Sequence, residues 1–236
     1  FQFYLLRASC NLAEEKGACE GFAQTKYADG LLPIDTYKKE VDEIVPHKQR
    51  MAWESLRKDI AKHGLRHSTL SAQMPSESSS VVSNETNGIE PPRALLSIKK
   101  SKKGPLKQVV PQYTTLKNHY TLLWDMPNND GYINIVAVMQ KFFDQAISGN
   151  WSYNPTHFDN NEVPMSVMMK DLLNTYKFGW KTSYYQNTYD YKSDGSVEEP
   201  QHNLGWHDNV KENPVERDEF KGTDEEYEEY CESCAI

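Results

Sequence analysis

Apolar side chains recur every three or four residues in four stretches of the chain, the spacing of a helix with one buried face. The four stretches are 3–18, 50–64, 131–148 and 164–180. Gly17, Gly64 and Gly179 stand where three of them stop, and glycine is common just past the end of a helix. We therefore predict four amphipathic helices, with Gly64 in a left-handed conformation.

The same spacing selects the residues that the helices bury. Those expected in the core are Leu5, Leu6, Leu12, Ala13, Trp53, Leu56, Ile60, Ile133, Val136, Met139, Phe143 and Ile147. Cys10 is expected to pack within or beside the apolar face of the first helix.

Shorter runs rich in apolar, β-branched and hydroxyl residues predict strands at 67–74, 93–99, 106–113 and 181–186. The middle two are joined by KSKKGP, which is typical of a hairpin loop. Two shorter helices are also predicted, one within 30–45 that Asp35 caps and one from Pro75 to Gly88. Strands that alternate with helices of about ten or more residues indicate an α/β fold with parallel strands.

Negative charge is concentrated at the C-terminal end. Of 34 acidic and 26 basic residues, 15 acidic and 4 basic ones lie in 190–236, which leaves 19 and 22 in a nearly neutral body. Regular periodicity also fades after Thr188. We predict a folded body, 1–188, and a mobile acidic tail, 189–236. Because the tail repels phosphates and the body has no basic stripe, the sequence argues against nucleic-acid binding.

No run of apolar residues is long enough to predict a membrane span. No signal-peptide pattern is visible, and the chain starts with Phe1 rather than Met, which suggests a processed or partial chain. The expected compartment is therefore the reducing cytoplasm. There, a Cys-X-X-Cys pair is redox-active or metal-binding rather than structural.

The segment MPSESSS follows the first predicted strand and opens a predicted helix. The first N–H groups of a helix lack partners within it and can bind a phosphate. The residues of this candidate site are Pro75, Ser76, Glu77, Ser78 and Ser79. The competing interpretation is an ordinary serine-rich helix start. A Gly-rich phosphate loop is missing from the sequence, which argues against an ATPase or a dinucleotide-binding unit.

Cys231 and Cys234 form a Cys-X-X-Cys pair in the terminal YCESCAI. Such a pair can close a disulfide and reopen it by exchange with another dithiol. A zinc site would need four ligands, and His202 and His207 are too loosely spaced to complete one. Redox exchange is therefore preferred over metal binding or an incidental pair.

Tyr184 and Tyr185 adjoin each other in the last predicted strand. Neighbouring side chains of a regular strand point to opposite faces, so if one ring is buried the other needs its own reason. Tyrosine is common in strands, which is one interpretation. The other is that two adjacent phenols pass an electron in short hops, each losing its proton as it is oxidised.

Several longer segments closely resemble the C-terminal third of the large (α) subunit of class I aerobic ribonucleotide reductase, of the bacterial and phage type. They are GLLPIDTYKK, HGLRHSTLSAQMPSESSS, NETNGIEPPR, LLWDMPNNDGY, MQKFFDQAIS, KDLLNTYKFGWKTSYYQNT and the terminal CESCAI. The resemblance extends from about Leu6 to Thr188 and returns at the terminal cysteines.

The resemblance implies a ten-stranded α/β barrel of two parallel half-barrels, of which this chain supplies much of the second half. It implies reduction of ribonucleoside diphosphates to deoxyribonucleoside diphosphates through a cysteine thiyl radical. The segment 75–79 would hold the substrate phosphates, and Tyr184 and Tyr185 would relay the radical from a small, metal-containing β subunit. Cys231 and Cys234 would re-reduce the active-site disulfide and be reduced by thioredoxin or glutaredoxin. This chain itself would bind no metal or cofactor.

The resemblance also implies a partial enzyme. The family's radical cysteine, substrate-reducing cysteines, catalytic Glu and Asn, and allosteric sites belong to sequence upstream of Phe1. The tail cysteines are separated by two residues, whereas related bacterial enzymes often have four between them. Catalysis is therefore expected only with the N-terminal part of the subunit and the β subunit. The alternatives are a non-catalytic binding module and a thiol-exchange protein that engages the β subunit or thioredoxin.

Overall fold

The computed structural model describes residues 1–46, 48–86, 88–101 and 104–190. Its helices are α1 (Gln2–Lys16), α2 (Pro33–Thr36), α3 (Trp53–His63), α4 (Glu77–Ser83), α5 (Tyr113–Leu116), α6 (Asp130–Gln140) and α7 (Met165–Phe178). Its strands are β1 (Leu96–Ser101), β2 (Gly104–Val109), β3 (Ser148–Tyr153) and β4 (Thr182–Thr188). Nearly all of the predicted tail falls outside the described residues and stays a prediction.

Helices α1 and α3 pack around the first hydrophobic cluster. Its buried members are Phe3, Leu6, Cys10, Tyr27, Leu32, Ile34, Trp53, Leu56, Ile60 and Leu65. The predicted burial of Cys10 and of one face of α3 is thus confirmed. The prediction for Leu12 is wrong, because that side chain is exposed. The buried face of α1 passes through positions 3, 6, 10 and 13, and position 12 is turned away from it.

Glycines end two of the predicted helices in different conformations. Gly64 follows α3 with φ 74° and ψ −162°, so its positive φ is as predicted but its left-handed helical conformation is not. Gly179 follows α7 with φ 80° and ψ 23°, which is the left-handed ending. Glycine tolerates both conformations because it has no Cβ.

Asp35 links α2 to α3. Its carboxylate accepts a hydrogen bond from the backbone N–H of Leu32 at 2.7 Å, which confirms the predicted cap. Arg57 of α3 donates to both carboxylate oxygens, at 2.7 and 3.1 Å. Burial by itself would raise the pKa of Asp35, but the hydrogen bonds from Arg57 and Leu32 outweigh it and lower that pKa.

Helix α6 contributes to the second hydrophobic cluster, whose buried members are Tyr132, Ile133, Val136, Ile147, Trp151, Tyr153 and Trp180. The helix ends at Gln140, well before the predicted end at residue 148. The side chain of Gln140 donates to the Gln145 carbonyl at 2.8 Å and accepts from the Ile147 N–H at 3.1 Å, which holds the chain in a turn. Phe143 and Ile147 still pack in this cluster. The predicted bounds are therefore wrong, while these core residues are confirmed.

Strand β3, which the sequence pattern did not predict, pairs in parallel with β4. On the side away from β4, Gln73 forms one parallel bridge to Ile147, the residue just before β3. The strand predicted at 67–74 is reduced to this bridge. The reason is that Asp144, rather than a neighbouring strand, accepts the backbone N–H groups of Leu70 and Ser71, at 2.8 and 2.9 Å.

Strands β1 and β2 form the predicted hairpin and are antiparallel. Among the described residues, parallel pairing is therefore confirmed only for β3 with β4 and for the bridge at Gln73. Within the described residues the strands form two two-stranded sheets. The α/β class is confirmed, and the ten-stranded barrel stays an expectation. None of the described helices combines the length and apolar character needed to cross a membrane.

Candidate functional site

A β-bulge in β4 brings together Tyr184 and Tyr185, the two candidate relay residues. The register between β3 and β4 shifts by one residue between Gly149 and Trp151. As a result, Tyr184 and Tyr185 both lie opposite the single residue Asn150. An extra residue of this kind interrupts the alternation of side chains and is rare between parallel strands. The alternation of a regular strand therefore does not hold at these two residues.

The two tyrosine rings are in contact. Their centroids are 4.1 Å apart and their planes are inclined by 58°. A hydrogen bond between the two side chains raises the pKa of Tyr185. Tyr184 is 54% exposed, whereas Tyr185 is half-buried. The two phenol rings are therefore in continuous contact from half-buried Tyr185 to Tyr184, which lies at the surface of the described part of the chain.

Asn150 fills the gap that the bulge opens in the ladder. Its side-chain oxygen accepts a hydrogen bond from the backbone N–H of Tyr185 at 3.1 Å. Its amide nitrogen donates to Glu90 at 2.7 Å, and the Tyr132 hydroxyl donates to the same carboxylate oxygen at 3.4 Å. Burial, followed by the charge of Glu90, raises the pKa of Tyr132 above its ordinary value. The bulge is thus tied through Asn150 to a buried tyrosine of α6.

Neither Asn150 nor Glu90 was predicted from the sequence. A signal was present in the segment SGNWSY, where Trp151 and Tyr153 alternate with small polar residues. Gly149 in such a segment also indicates a bulge or a close approach of another group. The structure has the close approach. A Cβ at position 149 would lie 2.4 Å from the Tyr132 hydroxyl oxygen and 2.7 Å from the ring of Trp180.

A buried polar cluster anchors the far end of β3. Asp171 of α7 accepts hydrogen bonds from Asn129 at 2.8 Å and from the Tyr153 hydroxyl at 3.0 Å. Asn129 in turn accepts the backbone N–H of Ser152 at 3.0 Å. Because Asp171 and Asn129 are almost fully buried and paired, they fix β3 against α6 and α7.

The candidate phosphate segment lies at the start of α4. The helix begins at Glu77 and ends at Ser83, so the predicted extension to Gly88 is wrong. Asn84 ends it in a left-handed conformation. Ser76 precedes the first turn. The five candidate residues are therefore contiguous with the beginning of a short helix, as the sequence predicted.

Two serine hydroxyls of this segment face each other. Ser76 and Ser79 are hydrogen-bonded through their hydroxyl groups, and Ser76 makes no side-chain bond to a helix N–H. Pro75 and Ser79 are exposed. The side chains of Glu77 and Ser78 lie outside the described part of the chain. The two hydroxyls thus bond to each other rather than to the helix N–H groups, with Ser79 exposed and Ser76 half-buried.

The segment that leads to α4 and the strand that carries the tyrosines approach β3 from its two sides. Gln73 bridges to one side of it, and β4 with the tyrosines pairs on the other. Neighbouring strands are separated by about 4.8 Å, so Gln73 and β4 lie about 10 Å apart across β3. Helix α4 begins only a few residues after Gln73. Gln73, two residues before the serine-rich segment begins, and the strand of the tyrosine pair therefore belong to the same small group of parallel segments.

The cysteines do not join this site in the described part of the chain. Cys10 is buried in the first cluster, and burial, then the charge of Asp59, raises the pKa of its thiol. Cys19 is half-buried and has no disulfide partner among the described residues. Cys231 and Cys234 lie outside the described residues, so their predicted redox role stays a prediction.

Comparison with known proteins identifies similar chains. The family model of the ribonucleotide reductase barrel domain matches residues 1–186. Ribonucleoside-diphosphate reductase subunit alpha of Haemophilus influenzae is 61% identical over 189 residues, which is 80% of this chain and 25% of that protein. Subunit alpha of reductase 1 of Escherichia coli is 59% identical over the same shares of the two chains. The subunit alpha of enterobacteria phage T4 is 44% identical over 191 residues. The chain thus spans about a quarter of the length of these relatives.

Proposed function

The chain belongs to the ribonucleotide reductase barrel-domain family, and on this premise we propose that it is part of the large subunit of a ribonucleoside-diphosphate reductase. In this proposal it supplies substrate phosphate binding, a tyrosine relay and a reductant shuttle. The remainder of the large subunit supplies the cysteines that act on the substrate, and the β subunit supplies the oxidising radical. The observation that carries the proposal is the contact of Tyr184 with Tyr185 at a bulge in β4.

The tyrosine pair is proposed as the relay. An electron passes from one phenol to its oxidised neighbour, and each phenol gives up its proton on oxidation and regains it on reduction. Transfer over a short distance needs rings in contact, which the 4.1 Å separation supports. The partial exposure of Tyr184 supports access from a second protein.

Substrate binding is proposed for Pro75, Ser76, Glu77, Ser78 and Ser79. Backbone N–H groups at the first turn of α4 and the hydroxyls of half-buried Ser76 and exposed Ser79 are suitable donors to phosphate oxygens. Gln73, which lies a few residues before α4 and bridges to the residue just before β3, supports this assignment. The substrate would be a ribonucleoside diphosphate.

Phenylalanine substitutions test the relay. In a chimera, residues 1–236 replace the Escherichia coli relative from the start of the matching part to its C-terminus, and the product is assayed with its β subunit and a nucleoside diphosphate. Tyr184→Phe and Tyr185→Phe are each expected to abolish turnover and to leave substrate binding unchanged, because only the oxidisable hydroxyl is lost. Tyr113→Phe, at an exposed tyrosine of α5, is the matched control. Wild-type turnover by either relay variant would refute the proposal.

Serine substitutions test the shuttle. Cys231 and Cys234 would transfer two electrons and two protons to a disulfide in the remainder of the subunit, and their own disulfide would then be reduced by thioredoxin or glutaredoxin. In the same chimera, serine at both positions should spare the first turnover and stop repeated turnover with thioredoxin. An excess of small dithiol should restore it. Loss of the first turnover would contradict a shuttle role.

The two alternatives predict different results with the chimera. A binding module would compete for the β subunit, and a thiol-exchange protein would exchange electrons with thioredoxin, but neither would support nucleoside diphosphate reduction. The family match over residues 1–186 favours the catalytic proposal, because it covers the tyrosine pair and the serine-rich segment. An inactive chimera that still binds the β subunit would favour the binding module.

A further inference from the structure

We propose that Asn150 is the residue that positions the radical relay, and that Glu90 orients it. The inference rests on the proposed function of Tyr184 and Tyr185 and extends it to residues that touch neither substrate nor the oxidised hydroxyls. Its basis is the single hydrogen-bonded path that connects Glu90, Asn150 and the backbone of Tyr185 at the bulge.

The bulge creates a need for a hydrogen-bond acceptor. Two residues of β4 lie opposite one residue of β3, so the regular ladder does not serve the N–H of both. A backbone N–H left without a partner destabilises the conformation that exposes it. The side-chain oxygen of Asn150 accepts the N–H of Tyr185 at 3.1 Å and thereby meets this need.

Glu90 fixes which end of the Asn150 amide faces the bulge. Its carboxylate accepts the amide NH2 at 2.7 Å, so the oxygen of Asn150 is the end left for Tyr185. The same carboxylate oxygen accepts the hydroxyl of Tyr132, a residue only 6% exposed. Glu90 is thus itself held by a buried group of the second cluster, and the orientation of Asn150 is determined by the core.

Loss of the Asn150 side chain would favour the regular ladder. Without its acceptor, the N–H of Tyr185 has no partner on β3 in the bulged register, and a slip of β4 by one residue would offer it a backbone carbonyl. Because side chains alternate along a regular strand, that slip turns one of the two tyrosines to the other face. The contact between the rings at 4.1 Å would then be broken, although both hydroxyls remain in the molecule.

The test uses the active chimera with its β subunit. Asn150→Ala is expected to lower kcat by at least about a hundredfold with KM unchanged, because a displacement of about 1 Å already costs that much and a one-residue slip moves the strand by about 3.3 Å. Asn150→Asp retains the acceptor for Tyr185, so it should keep most of the turnover even though it places a second carboxylate beside Glu90. If Asn150 acted only through packing or charge balance, Asn150→Asp would lose more turnover than Asn150→Ala. The reason is that Asp places a like charge beside Glu90 and Ala does not.

Asn154 offers a matched control at the end of β3. Its side chain also bonds to backbone, donating to the Trp124 carbonyl at 2.9 Å and accepting the Thr156 N–H at 3.1 Å. Asn154→Ala should therefore reduce stability to a similar degree and leave kcat unchanged. If it lowers kcat as much as Asn150→Ala does, the loss reflects general damage to β3 and the inference is overturned.

Crystal structures of the chimera and its variants separate this inference from the proposed function. The bulge opposite residue 150 should persist in the parent and in Asn150→Asp and be lost in Asn150→Ala. A bulge retained with Ala at 150 would overturn the inference whatever the activity. An inactive parent chimera would instead refute the proposed function. Equal loss of kcat in the Ala and Asp variants would overturn the positioning role alone.

Discussion

Replacing Gly149 with alanine should destabilise the sheet that carries the tyrosine pair. The added Cβ would lie 2.4 Å from the Tyr132 hydroxyl oxygen and 2.7 Å from the ring of Trp180, both far inside van der Waals contact. Neither neighbour is free to move. Both rings are buried, and Trp180 donates from its indole nitrogen to the Ile147 carbonyl at 2.7 Å.

The magnitude follows from two opposing contributions. Forcing one extra methyl group into a packed core costs about 1–3 kcal/mol. Reduced freedom of the unfolded chain returns about 0.4–1 kcal/mol when glycine becomes alanine. The expected net loss is therefore about 1–2 kcal/mol. That corresponds to a fall in Tm of about 2–4 °C per kcal/mol for a chain of this size.

Urea unfolding measures this loss directly. The signal would be tryptophan fluorescence, since Trp151 and Trp180 both belong to the cluster beside Gly149. The control is Gly131→Ala in α6, where an added Cβ meets no atom within 4 Å. That variant should be neutral or more stable by up to about 1 kcal/mol, because alanine is favoured in helices. A Gly149→Ala variant as stable as the parent, or a control that loses as much, would refute the steric argument.

Two further substitutions test the anchors around the site. Asp35→Asn should destabilise the chain at neutral pH. Because the pKa of Asp35 is lowered in the folded state, its stabilising contribution is present above the ordinary aspartate pKa of about 3.9 and is lost as pH falls through the folded value. The difference in unfolding free energy between parent and variant should accordingly shrink below about pH 4, and a constant difference would contradict the ion pair with Arg57. Asp144→Ala removes the acceptor for Leu70 and Ser71, so it should cost about 2–3 kcal/mol and raise KM for the nucleoside diphosphate in the chimera, because the segment before α4 is loosened. An unchanged KM would separate this anchor from substrate binding.

The sequence alone predicted helices and buried residues correctly where the local apolar pattern and the tertiary packing agree. In α3, Trp53, Leu56 and Ile60 repeat at helical spacing, and all three are buried as predicted. Helix α7 likewise begins after Pro164 and ends at Gly179. In these cases the residues that decide the structure are close together in the chain.

Prediction failed where a polar side chain takes over backbone hydrogen bonds. Asp144 accepts the N–H groups that a strand at 67–74 would have offered to a neighbour, and Gln140 ends α6 by bonding to the turn that follows. Apolar spacing carries no information about such polar contacts. The candidate site shows the same limit: the adjacent tyrosines were visible in the sequence, but the bulge depends on Asn150 across the sheet.

The bulge divides β4 into two half-strands with opposite phase. Ser183 follows one in-and-out pattern relative to β3, and Gln186 follows the other, because one residue more is present on the β4 side. An alignment of β4 by alternating hydrophobicity alone will therefore slip by one position on one side of the tyrosines. Conversely, deleting one residue of β4 at the bulge would restore uninterrupted pairing with β3. A one-residue gap at this point of an alignment therefore implies a smaller change of the backbone than a gap within a regular strand.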